Sequence, residues 1–260
     1  MIKFLICGVL VGLAAVQIAA AAEPGMPCPG YPEALGTSRV LAIDPATTPR
    51  VGRKHFPTTL PLADKEVVLT FDDGPWPGTT TAVLDALERE CVRASFFLLG
   101  RNVAAHPELA RRELAEGHTV AYHSFRHPLL SHMSAAAAMA EIDRGIAAVD
   151  TALYFFRFPG LASTPGLLDR LAERGIAVFG ADLWASDWNR MTPTQELRLV
   201  MARLDANRGG IVLLHDTKRQ TAAMIPAFLR ELKASRYRIV HVVADAGKRS
   251  QSDHALSTKN

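Results

Sequence analysis

Two adjacent carboxylates, Asp72 and Asp73, follow the apolar run Val67-Val68-Leu69-Thr70-Phe71 and precede Gly74-Pro75. The run reads as a buried strand, and a strand cannot continue through Gly-Pro, so both acids sit where the strand stops. Neighbouring side chains on extended backbone point opposite ways. One acid can then serve a metal while the other stays free as a base, although an Asx-type turn that merely ends a strand uses the same residues. His123 and His127 stand four apart. On a helical turn that spacing puts both imidazoles on one side, where they can share an ion. A third ligand is needed, and Asp73 is the nearest candidate in kind. Two imidazoles and one carboxylate leave a position for water, where a divalent ion lowers the water's pKa and polarises a carbonyl. Taken alone, an H-x-x-x-H pair is a weak signal.

The elements that must position these groups alternate regularly. Strands are expected at 66–71, 93–98, 118–122, 154–157, 176–181, 210–214 and 238–243, with helices between them. The helices are expected from the Thr79-Thr80-Thr81 cap region with Val83, Leu84 and Leu87 inward, and at 106–116, 134–152, 164–174, 192–207 and 221–234. Ser134 is a good N-cap, and Thr192-Pro193 has the cap-then-proline order of a helix start. Such alternation implies parallel strands covered by helices, closed as a barrel or left as an open doubly wound sheet. In either arrangement active groups collect past the carboxyl ends of the strands. Asp72 and Asp73, the stretch from His123 to His127, Arg157, Asp187-Trp188 and His215-Asp216 all fall on that one rim.

TFDDGP, HSFRH, RFPG, DW and LLH, in this order, resemble the motifs of the polysaccharide deacetylase family, also called the NodB homology domain or carbohydrate esterase family 4. The resemblance spans about 66–243. It implies an α/β fold, a distorted (β/α)7-type barrel in a single domain, and metal-dependent removal of N-acetyl groups from amino-sugar glycans. Carried over by motif, it makes Asp72 the general base and Asp73, His123 and His127 the ligands of a divalent metal, with zinc the usual expectation. Arg157 would hold Asp72 ionised through a charge-assisted hydrogen bond. His215 would protonate the departing amine, with Asp187 orienting it. Trp188 and Leu213 would wall the acetyl pocket. Gly160 stands where many members carry Tyr after Arg-x-Pro; its N–H survives for the oxyanion, but a side-chain wall is lost, which leaves substrate fit open.

The chain divides into a signal segment at 1–22, an extended lead-in at 23–65 with one strand at 39–43, the catalytic domain at 66–244 and a polar tail at 245–260. The signal reading rests on Lys3, an apolar core and the small-residue exit Ala20-Ala21-Ala22; an uncleaved membrane anchor is its alternative, and the only membrane link expected. Export to the periplasm, envelope or medium follows. There Cys28 and Cys91 could pair, which sequence alone leaves open because it cannot report their separation. A net charge of +3 over 260 residues is too small to be a nucleic-acid signature.

The partner expected is therefore an acetylated amino-sugar glycan, peptidoglycan or chitin-type. A non-catalytic glycan-binding protein on the same scaffold and a metal amidase for a non-sugar amide are the competing functions; the first would be favoured by loss of the base or acid, and both are present. Plainer roles suit other residues. His118 reads as a hydrogen-bonded structural histidine, His106 and Asp216 as helix caps, Arg126 as a solvated loop charge, and Trp76 as packing or a sugar platform.

Overall fold

The computed structural model describes Cys28, residues 31–149 and residues 154–245. The expected signal segment and nearly all of the tail lie outside the described residues, as does the end of the helix expected at 134–152.

Among the described residues ten strands and seven α-helices follow in the order β1 (Thr37–Ile43), β2 (Arg50–Val51), β3 (Glu66–Asp72), α1 (Thr79–Arg89), β4 (Ser95–Leu98), α2 (Gly100–Ala105), α3 (Pro107–Ala115), β5 (Thr119–Tyr122), α4 (Ala135–Ala147), β6 (Phe155–Phe156), α5 (Pro165–Glu173), β7 (Ala177–Phe179), β8 (Leu183–Trp184), α6 (Pro193–Asn207), β9 (Gly209–His215), α7 (Arg219–Ala234) and β10 (Arg238–Ala244). The helix starts follow local chemistry. Ser134, Thr164 and Thr192 each accept a backbone N–H three residues on, and Thr192 with Gln195 closes a full capping box. Pro165 and Pro193 sit in the first turn, where no N–H is needed.

Every ladder among the described residues is parallel, as strand–helix alternation requires. The run β8-β9-β3-β4-β5-β6-β7 carries the site, with β10 and β1 joining β3 at its start and β2 joining β7. β1 and β2 come from the lead-in, so that segment is knitted into the sheet. Its residues Arg53 and Thr59 also hydrogen-bond the buried Asp182 carboxylate, which takes the Ile211 N–H as well. The lead-in is pinned at its start by a Cys28–Cys91 disulfide, with Cα atoms 5.8 Å apart.

β3 shows how the sheet sorts its side chains. Val67, Leu69 and Phe71 join the large core beneath the helices, whereas Val68 joins a second core with Phe97, Phe155, Phe179 and Ile211. Phe97 of β4 meets Phe179 of β7 at 5.6 Å between ring centroids, so strands three places apart in the sheet touch on that inner face. A flat sheet does not allow that contact, since neighbouring strands lie roughly 4.8 Å apart. The inner face is therefore concave, in keeping with a (β/α) barrel. Thr70 and Asp72 share the parity of Val68 and point into it.

Candidate active site

β3 delivers two acids to one mouth of this concavity. Asp72 ends the strand in extended backbone and keeps inward parity. Asp73 follows with φ of 76°, a left-handed step that turns its carboxylate away from the strand direction. Asp73 N donates to Phe97 O, and Asn102 Nδ2 donates to Asp73 O, so the turn is held from both sides.

His123 and His127 meet the carboxylate from the segment after β5. The same-side placement expected of one helical turn is achieved differently: Ser124 and His127 adopt φ of 68° and 67°, and a tight loop folds the second imidazole back to the first. The rings lie 5.0 Å apart. Nε2 of His123 is 3.6 Å and Nε2 of His127 3.5 Å from the same oxygen, Asp73 Oδ1. The loop is locked from behind. Glu141 of α4 accepts the Arg126 N–H at 2.6 Å and pairs with the Arg126 guanidinium, so Arg126 is a tethered loop residue. Gly145 of α4 lies against Ser124, where a Cβ would come within 2.7 Å of its carbonyl carbon.

These donors fit a divalent metal. Asp73 Oδ1 is buried and has no hydrogen-bond partner among the described residues, although two imidazole nitrogens face it. One ligand atom from each of Asp73, His123 and His127 lies within 4.8 Å of the others. His123 Nδ1 sits 2.7 Å from the Arg157 carbonyl, which fixes the tautomer and leaves Nε2 with its lone pair toward the cluster. Burial pushes the Asp73 carboxyl up, but His123, His215, His127 and Lys218 outweigh it and hold the group below its ordinary range.

Arg157, just past β6, is wholly buried and crosses the concavity to β3. Its Nη1 donates to Asp72 Oδ1 at 2.6 Å and to Thr70 Oγ1 at 2.9 Å; Nη2 and Nε donate to the carbonyls of Gly180 and Phe179. The guanidinium also lies 4.1 Å from the Phe97 ring centroid. Burial draws its pKa down and Asp72 draws it back. The other Asp72 oxygen, Oδ2, points toward the metal-fitting cluster, 3.9 Å from His123 Nε2.

On the far side His215 ends β9. Its Nδ1 lies 2.8 Å from Asp187 Oδ1, its backbone N–H donates to Asp187 Oδ2, and its Nε2 faces Asp73 Oδ2 at 3.9 Å. Burial lowers the imidazole pKa, but Asp187, Asp72 and Asp73 overcome that and raise it to about 9. Trp188 is half-exposed and stands edge-on to His215 at 6.1 Å. Leu213 is buried beside Thr70 on the inner face. Gly160 lies on an exposed 3-10 turn with φ of 59°, next to Leu129.

The plainer residues sort as follows. His118 accepts the Ala94 N–H and is structural, as expected. Asp216 caps no helix: it is buried, accepts from Thr80 Oγ1, and fills the space where a Cβ on Gly74 would lie. His106 precedes α3 without a side-chain cap and pairs instead with Glu108. Trp76 is half-exposed and edge-on to His106. Sequence reasoning missed Thr70, Thr221 and Glu196, whose hydroxyl and carboxyl groups support Arg157 and Asp187 from inside a strand and two helices.

Residues 60–179 match the polysaccharide deacetylase family. A chitooligosaccharide deacetylase of Rhizobium leguminosarum bv. trifolii is 37% identical over 158 residues, covering 59% of this chain and 72% of that protein. The peptidoglycan-N-acetylglucosamine deacetylase PgdA of Listeria monocytogenes is 32% identical over 231 residues, covering 86% of this chain and 48% of that protein. A solved peptidoglycan deacetylase of Bdellovibrio bacteriovorus superposes with a TM-score of 0.73 at 32% identity, covering 80% of this chain and 59% of that one. The chain belongs to the polysaccharide deacetylase family. It spans about half the length of the Listeria relative.

Proposed function

We propose that this chain is an exported, metal-dependent hydrolase that removes N-acetyl groups from N-acetylglucosamine-containing glycans, peptidoglycan or chitin-type oligosaccharides, and releases acetate. The observation that carries the proposal is the three-part mouth: a metal-fitting Asp73–His123–His127 cluster, flanked by the Asp72–Arg157 pair on one side and the His215–Asp187 pair on the other. The names of the relatives supply the substrate class. The division into leader 1–22, lead-in 23–65, catalytic domain 66–244 and tail 245–260 belongs to the same proposal. No helix among the described residues is long and apolar enough to cross a membrane.

An amide is a poor electrophile with a poor leaving group, so hydrolysis needs an activated water, charge stabilisation at oxygen and a proton for nitrogen. Asp73, His123 and His127 would hold a divalent ion, zinc by expectation, which when bound supplies Lewis-acid polarisation and a more acidic water. Asp72 takes the proton of the attacking water on Oδ2, the oxygen that Arg157 leaves free. Arg157 holds that carboxylate fixed in its plane through the 2.6 Å bond to Oδ1. The Gly160 N–H is the proposed donor to the carbonyl oxygen as charge develops there. His215 arrives protonated and gives its Nε2 proton to the departing amine while Asp187 holds Nδ1. The bond between acetyl carbon and nitrogen breaks, leaving acetate and a free amino sugar. Trp188 and Leu213 wall the methyl.

The test is acetate release from acetylated chitooligosaccharides and from peptidoglycan, before and after chelation. Release abolished by chelator and restored by zinc is the expected result. Release that persists after complete metal removal overturns the mechanism.

A further inference from the structure

Behind Asp187 lies a buried acid that the proposed chemistry does not use. Glu196 sits in the first turns of α6 with no exposed surface, and Thr221 near the start of α7 is equally buried. Thr221 Oγ1 lies 2.9 Å from Asp187 Oδ2 and 2.9 Å from Glu196 Oε1. A hydroxyl carries one proton, so it can donate to only one of these oxygens. Were both acids ionised, one of the two contacts would set oxygen against oxygen with no hydrogen between them. Asp187 is the acid equipped to stay ionised, since it also receives the His215 N–H at 2.6 Å and faces His215 Nδ1 at 2.8 Å. Glu196 has no such support, and its Oε2 is buried without a hydrogen-bond partner among the described residues. A carboxylate left that way is costly, whereas a neutral acid needs only one place to donate.

We propose that Glu196 is a positioning residue for His215, a neutral carboxylic acid at the end of the hydrogen-bonded line Glu196–Thr221–Asp187–His215; this rests on the deacetylase reading above. Glu196 donates to Thr221, Thr221 donates to Asp187 Oδ2, and His215 donates from Nδ1 to Asp187 Oδ1. All hydrogens then point toward one anion. Three donors fix the plane of the Asp187 carboxylate, and that plane fixes the aim of His215 Nε2. No proton travels along the line during turnover. The charge balance agrees: burial pushes the Glu196 carboxyl up, the Thr221 hydroxyl opposes, and of the ionisable neighbours Asp187 raises it while His215 lowers it, leaving it at about 7.

The test uses the full chain with its metal. Glu196→Leu and Thr221→Val should each lower kcat about tenfold, the worth of one well-made buried hydrogen bond, with KM and metal content unchanged. Glu196→Gln, a neutral group that can still donate, and Thr221→Ser should recover most of that loss. The double variant Glu196→Leu/Thr221→Val should be no worse than either single one, because each breaks the same line. If Glu196→Leu fails to fold, the Thr221→Val and Thr221→Ser pair with Glu196→Gln decides in its place. Undiminished kcat in Thr221→Val or in folded Glu196→Leu, with Asp72→Asn inactive, overturns the inference and leaves the deacetylase reading standing. If the wild type releases no acetate, that reading fails, and infrared spectroscopy at roughly pH 6, below the ionisation range of Glu196, decides the line alone. Glu113 and Asp216 are buried acids that also carry protons there, so the readout is the difference between proteins: a protonated-carboxyl component that Glu196→Gln removes supports the line, and a band that Glu196→Gln leaves unchanged overturns it.

Discussion

Replacing Arg157 with Met should damage stability and catalysis through one carboxylate. Arg157 is wholly buried and Asp72 is 2% exposed, joined by a 2.6 Å bond. Removing one partner of a buried pair typically costs ~3–5 kcal/mol, because the remaining charge stays desolvated. Here Thr70 Oγ1 and the carbonyls of Phe179 and Gly180 also lose their donor, which places the variant toward the upper end. In a chain of this size the loss corresponds to a fall in melting temperature on the order of 10 °C or more. Asp72 can escape part of the penalty by taking up a proton, but then it no longer serves as base. Acetate release at neutral pH should therefore drop by ~100-fold or more even at temperatures where the variant is folded. The cycle with Asp72→Asn separates the two effects. With no charge left at position 72, the double variant should melt above Arg157→Met alone. Thermal melts followed by circular dichroism and an acetate assay supply both readouts. An Arg157→Met protein that melts within about 2 °C of the wild type and deacetylates normally would refute the claim that this pair holds the base.

The metal and base assignments part cleanly: Asp72→Asn should keep its metal and lose activity, whereas His127→Ala should lose the metal itself, by elemental analysis. Full activity in the first, or full metal content in the second, rejects the respective role. Acid should weaken the fold through His118 and His241, whose pKa values burial lowers from 6.5 to about 3 and about 4, aided by Arg93. Their folded values lie below the unfolded one, so the unfolded chain binds more protons at these sites once pH falls under 6.5, and the stability they contribute declines, opposed by Glu196 and Asp216, whose carboxyls burial raises to about 7. By pH 5 each histidine should cost about 2 kcal/mol. A His118→Gln variant whose stability changes between pH 7.5 and 5 just as the wild type's does counts against this. Reducing Cys28–Cys91, which closes a loop across a sequence separation of 63, should destabilise the fold by up to ~4 kcal/mol by chain entropy. An unchanged melt in reductant shows that the hydrogen bonds between Leu35 and Glu90 and between Thr37 and Cys91 suffice to hold the lead-in.

What could be read in the sequence follows from how local each signal is. The helices at Thr164-Pro165 and Thr192-Pro193 begin where cap and proline say, because both signals act within one turn. The two-residue strands Arg50–Val51 and Leu183–Trp184 escaped, being too short to show a period. Helix α2 escaped because it opens at Gly100 without a side-chain cap. In the site, strand-end position announced Asp72 and Asp73, but the geometry that unites them with the histidines lies in backbone torsions. Asp73, Ser124 and His127 all adopt positive φ, a conformation no composition signal marks for these residue types. The His123–His127 spacing thus pointed to shared work while the helical reason for it was wrong. Residues that act through others were the least visible. Thr70 looks like any strand threonine, and Glu196 and Thr221 like ordinary helix positions, until the fold brings one hydroxyl proton between two carboxylates. That count of hydrogens is a property of three elements meeting, so it becomes legible only once α6, α7 and the segment after β8 are placed together. Where such a hydroxyl stands between two buried acids, the chain has to choose which one remains charged. Here the choice falls on the one that faces His215.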